Sequence, residues 1–198
     1  MDDIWTKAAG LATDLMEVSL HDYDSGGPAP FTDFNCWRPP DVGIYKLNIG
    51  IYRKSSSMQA GLGFLIRDAQ GLVVAATQQQ VVRCEDNLQF QAIVVLTAVQ
   101  FAFDMGLRHL DIELSFHHLL SLLNSDGSCL APVGTLVDDI LCIKQLFHFC
   151  QFSFAKNLCN KAAMTLASEA LSSPSSQVWL EECPPCIDTL VQTKSVIQ

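Results

Sequence analysis

The sequence predicts a mixed α/β domain with elements in the order βββαβααβα, a five-stranded mixed sheet carrying helices on both faces. Three observations predict it. Apolar residues alternate with polar or small ones in three consecutive segments between residues 46 and 82, separated by short turn-forming stretches. A long apolar run at 86–105 is too long for a strand and ends at Gly106, a residue suited to closing a helix. Beyond it, short strand patterns at 108–114 and 148–154 alternate with helical ones.

In order, KLNIGIY (46–52) is the first strand: Leu47, Ile49 and Ile51 mark one face, Asn48 and Gly50 the other. Gly50 interrupts it, because a glycine inside a strand has nothing to pack and signals a bulge, a bend or a close approach. SSSM is a hairpin loop, AGLGFLIRD the second strand, Asp68–Gly71 a turn and LVVAATQQQVV the third strand. Residues 86–105 form the long helix, and RHLDIEL the fourth strand, with Ser115 as N-cap of a short helix through FHHLLSLLN. After the loop NSDGSCLAP come a helix at 134–147, a strand at 148–154 and a helix at 158–171. Residues 3–19 have helical spacing and are followed by the linker-like HDYDSGGPAP. The expected division is therefore 1–35 as acidic helix and linker, 36–172 as the domain, and 173–198 as a loosely structured tail.

Composition restricts function. With 198 residues and 49% apolar content, the chain can bury one sizeable core. The longest uncharged run, Asn87–Phe103, carries Asn87, Gln89, Gln91, Thr97 and Gln100, so it reads as a buried helix and no membrane span is expected. The opening residues MDDIW hold no cationic stretch before an apolar one, so no secretory signal is expected. The eight cysteines are then expected as thiols in a cytoplasmic or nuclear setting. Residues 1–35 hold seven acids and one lysine, net −6, and the remaining residues fourteen acids and eleven bases, net −3. No Lys/Arg cluster of the kind that neutralises a run of phosphates is visible, which favours a protein partner over nucleic acid.

Particular words sharpen the reading. WRPPDVGIYKLNIG (37–50), AGLGFLIRDAQG (60–71), AFDMGLRHLDIELS (102–115), NKAAMTLASEA (160–170) and VWLEECPP (178–185) follow one another in unbroken order. Together they resemble the ribonuclease H-like domain of plant proteins derived from non-LTR retroelement reverse transcriptases. The resemblance implies a ribonuclease H-like fold and, in active members, two Mg²⁺ ions roughly 4 Å apart, clamped by four carboxylates beside the scissile phosphate. Carried over position by position, those carboxylates fall on Gly50, Gln91, Ser115 and Met164, none of which is acidic. The H-x-x-R-x-x-N word before the last helix is altered as well, with Phe154 and Asn157 in place of His and Arg. The expectation is thus a retroelement-derived domain without catalytic residues, metal, cofactor or small-molecule substrate, acting by binding. The alternative keeps RNA/DNA hybrid or RNA recognition with weak or no cleavage. Gly50 then marks a vacated cleft.

Other carboxylates are poor substitutes. Asp111 and Glu113 share the strand parity of Ser115, but each two-residue step moves a side chain by roughly 6.6 Å. Glu85 and Asp86 lie a turn or more before Gln91, and Gln91 itself is a polar residue on the face of Val95, Ala98 and Ala102. Cys183 and Cys186 form CPPC without the helix start of a redox pair or the further ligands of a zinc site, so they read as structural thiols. His117 and His118 diverge by about 100° on a helix and cannot easily share one ion; one is expected at the surface and one partly buried. Phe64, Phe90, Phe101, Phe103, Phe147, Phe149, Phe152 and Phe154 are assigned to the core. No G-x-S-x-G word supports a hydrolase triad.

Overall fold

Alternation and helical period are realised closely. A computed structural model describes residues 36–54, 57–125, 132–173 and 175–192. The expected helix at 3–19 and its linker lie outside the described residues. The strands are β1 (Tyr45–Arg53), β2 (Gln59–Arg67), β3 (Val73–Val82), β4 (His109–Leu114), β5 (Phe149–Phe154) and β6 (Gln177–Leu180). The helices are α1 (Asn87–Asp104), α2 (His117–Leu123), α3 (Gly134–Lys144), α4 (Lys161–Ala170) and α5 (Asp188–Gln192). Spatial order is β5-β4-β1-β2-β3-β6. β1, β2 and β3 form an antiparallel meander, β4 and β5 run parallel to β1, and β6 is antiparallel to β3.

Each face has its own core. Leu47, Ile49, Leu62, Phe64, Ile66, Leu110 and Ile112 point to one side, where Val94, Val95, Ala98 and Val99 of α1, Leu119 of α2 and Ile140 of α3 cover them. On the other side Leu65 and Ala76 meet Ala162, Ala163 and Leu166 of α4. Local chemistry sets the ends. Asp86 Oδ1 accepts from the Gln89 N–H at 2.8 Å, starting α1, and Gly106, with φ of 80°, lets the chain turn after it. Asp68 Oδ1 accepts from the N–H groups of Gln70 and Leu72, and Gly71 takes φ of 82°, which makes the β2–β3 turn.

The structure corrects three expectations. The sheet has six strands among the described residues rather than five, because VWLE pairs with the outer edge of β3: Ala75 faces Leu180 and Thr77 faces Val178. The segment read as a loose tail carries regular structure among its described residues, the strand β6 and the helix α5, and Ile187, in a short 3₁₀ turn at Pro185–Ile187, is fully buried in the second core. Ser115 does not cap α2, which starts at His117 behind Phe116 with no side-chain cap. Among the described residues no helix is long and apolar enough to cross a membrane.

Candidate functional site

Parallel strands splay where their ladder ends, and β1 and β4 part just beyond the Asn48–Glu113 pair. Two residues further along the same register stand Gly50 and Ser115. The Ile49 carbonyl, at the edge of that gap, is met by the Asn160 side chain, whose Nδ2 donates to it at 2.6 Å. Asn160 is buried and leads directly into α4. The start of α4 is thereby tied to β1, and Met164 in its first turn is brought to Gly50.

The contact at Gly50 is unusually close. A Cβ built there would overlap the carbonyl group of Ala163 and lie 2.7 Å from the Met164 nitrogen. Gly63 meets Ala163 and Ala167 in the same way, and Gly61 meets Ala167. α4, with Ala162, Ala163, Ala167 and Ala170 buried, is therefore seated on bare backbone. This corrects the expected vacated cleft at Gly50: its side-chain space is filled by the helix. The close approach, one of the three meanings open for a strand glycine, is the one realised.

The four singled-out positions are only partly assembled. Gly50 and Met164 touch, and Ser115, half-buried, follows the end of the neighbouring strand. Gln91 is buried on the sheet-facing side of α1, on the side of β1 that carries Ile49 and Ile51. It thus approaches the sheet from the face opposite Gly50. Gly50 and Met164 offer no oxygen ligand, so the side chains present do not fit a pair of Mg²⁺ ions.

The nearby carboxylates are otherwise engaged. Lys46 Nζ lies 2.8 Å from Glu113 Oε1 and 3.4 Å from Asp111 Oδ2. Asn48 Nδ2 donates to Glu113 Oε2 at 2.7 Å, and Arg67 Nη2 donates to Asn48 Oδ1 at 2.7 Å. Ser153 Oγ donates to Asp111 Oδ1 at 2.8 Å. The Arg67 guanidinium lies 3.3 Å from the centre of the Trp37 ring, and Lys46 also donates to the Arg38 carbonyl at 3.1 Å. Burial pushes Arg67 down to about 9, with Glu113 and then Cys183 opposing the shift. Two buried cations thus require two carboxylates, and Asp111 and Glu113 serve that need. Asp86 is occupied as the α1 cap. Sequence reasoning missed this network; its signal was Lys46 and Asn48 on one strand face and Arg67 ending an apolar strand.

The remaining candidates are dispersed. His117 and His118 are both exposed, contrary to the expectation that one is partly buried. The His117 ring stacks on Phe154 with centroids 4.0 Å apart. Phe154 is 43% exposed, which corrects its assignment to the core: it ends an edge strand and is covered on one side only, by the His117 ring at the start of α2. Asn157 is exposed. Cys183 and Cys186 are free thiols packed against the second core. Burial raises both, with Asp188 and Glu169 respectively adding to it, whereas a redox pair needs a lowered thiol.

A family model described as reverse transcriptase-like matches residues 50–170. A search of curated proteins found no match. Among solved structures, ribonuclease H1 from the halophilic archaeon Halobacterium salinarum NRC-1 is similar, with TM-score 0.58 and 17% identity, covering 65% of this chain and 97% of that one. LC11 ribonuclease H1 in complex with an RNA/DNA hybrid has TM-score 0.56 and 14% identity, covering 65% of this chain and 96% of that one. The foamy viral protease-reverse transcriptase in complex with an RNA/DNA hybrid has TM-score 0.51 and 11% identity, covering 74% of this chain and 22% of that one.

Proposed function

The chain belongs to the reverse transcriptase-like family, and from that membership we propose that it is a ribonuclease H-like module that has lost hybrid cleavage and acts by binding. The observation that carries the reading is the packing at Gly50. An active site of this kind clamps metal ions with carboxylates, and here the position for the first of them is glycine, its side-chain space taken by the Ala163 carbonyl group. Gln91, Ser115 and Met164 bring neutral side chains to the other three positions. No cofactor is required, and a protein partner in a cytoplasmic or nuclear setting is the favoured context, given the net charge of −9.

The test is cleavage of a labelled RNA/DNA hybrid by the full chain with Mg²⁺ and with Mn²⁺, beside an active ribonuclease H1. No turnover above the metal-only control is expected; metal-dependent turnover abolished by chelation would overturn the reading. A second reading, retained hybrid recognition without cleavage, draws support from the two similar structures that hold such a hybrid. It predicts binding that weakens steeply between about 50 and 200 mM salt, with a slope that counts phosphate contacts.

A further inference from the structure

We propose that the groove between α1 and α3 docks an amphipathic helix with basic edges, supplied by a protein partner; this rests on the binding reading above and names its surface. The groove measures about 690 Å³ and is open to solvent along its length. Leu96 and Phe101 of α1 and Ile143 of α3 form an apolar floor, and Asp104 and Asp139 stand on opposite walls. Among the described residues no lysine, arginine or histidine lines it.

The carboxylates are available to an external cation. Gln100 Nε2 donates to Asp104 Oδ1 at 2.8 Å, which holds that carboxylate along the outer row of α1 without neutralising it. The cations nearest in sequence are turned elsewhere. Arg108 Nη1 donates to the carbonyls of Phe103 and Leu107, and its guanidinium lies 3.9 Å from the centre of the Phe103 ring. Lys144 Nζ lies 5.4 Å from the centre of the Phe152 ring. α1 has no basic residue in its last turn, so the partial negative charge of its C-terminus adds to that of Asp104.

Shape and charge together select the occupant. An open trough between two helices buries too little of a small ligand, which needs roughly 70–90% of its surface covered. Phosphates would be repelled by both walls. A helix whose apolar stripe lies on Leu96, Phe101 and Ile143 while lysines or arginines reach Asp104 and Asp139 satisfies floor and walls at once.

The probe is a synthetic amphipathic helical peptide of about 18 residues, long enough to hold helix, with leucines along one stripe and lysines on both edges. A counterpart has glutamates at the lysine positions. Titration calorimetry with the full chain is expected to show a Kd on the order of micromolar for the basic peptide and at least about tenfold weaker binding for the acidic one. Amide shifts should map to α1 and α3. The exposed double variant Asp104→Lys/Asp139→Lys should invert the preference, which simple peptide stickiness would not do. The same preference in the variant, shifts on another face, or no binding at millimolar peptide would each overturn the docking surface. Hybrid cleavage plays no part in this titration, so its outcome bears on the docking surface while the cleavage assay bears on the loss of activity.

Discussion

At the scale of single residues, Gly50 carries most of the argument. Its oddity was legible in the sequence, because a glycine breaks the alternation of Leu47, Ile49 and Ile51. Its meaning was only half legible. The resemblance placed a lost carboxylate there, whereas the distance of closest approach belongs to α4, more than a hundred residues away, and no local pattern reports such a distance. The two accounts predict opposite signs for Gly50→Ala. If the bare side of β1 faced open space, alanine would stabilise by about 0.4–1 kcal/mol by restricting the unfolded chain. With the Ala163 carbonyl group in the way, the added methyl forces α4 off the sheet, and a loss of about 1–3 kcal/mol or more is expected. The urea midpoint of the variant against the natural chain decides between them. Gly50→Asp should behave no better, so restoring a carboxylate here would unseat the helix before it could hold a metal.

Among the elements, those with strong periodicity and explicit end signals were legible: α1 between Asp86 and Gly106, and the meander with its Asp68–Gly71 turn. β6 was not, since four residues inside a Ser/Pro-rich stretch show a strand only once the edge of β3 is there to pair with. β5 was placed correctly, but its edge position was hidden, and with it the exposure of Phe154 and the environment of Cys150. Burial pushes the Cys150 thiol up to about 11 from an ordinary value of 9.0; Lys144 opposes the shift and Asp111 adds to it. The folded chain therefore keeps a proton that the unfolded chain releases between about pH 9 and 11. Stability from this group is fully present below about pH 9 and is lost as pH rises toward 11. The difference amounts to at most about 3 kcal/mol. Urea midpoints at pH 8 and 10.5 should fall less in Cys150→Ser than in the natural chain. Cys183 and Cys186 shift in the same direction, so an equal fall in both proteins would assign the slope to them instead.

For the molecule as a whole, the order of elements and the family were legible because five words recur in sequence, and several of their residues are now seen to act structurally: Trp37, Lys46, Asn48, Arg67 and Glu113 form the buried polar network. What the words did not convey is where the fold closes. The family match stops at residue 170, yet the second core depends on the chain beyond it: Trp179 packs there beside β3, and Ile187 is fully buried against the layer formed by α4. Without residues 174–198 the outer edge of β3 would lose its partner, and Leu65, Ala76 and Leu166 would lose part of their cover. A chain ending at Ser173 is therefore expected to unfold at much lower urea and to self-associate through the bared edge, seen as a shift to larger species in sedimentation. Ile187→Ala, which keeps the strand, should sediment as the natural chain does and lose about 2–5 kcal/mol, because the substitution leaves a buried cavity without uncovering an edge. If the shortened chain kept the natural urea midpoint, the C-terminal segment would be ornament to a domain complete at α4. If it fell no further than Ile187→Ala, the second core would matter and the β6 edge would not.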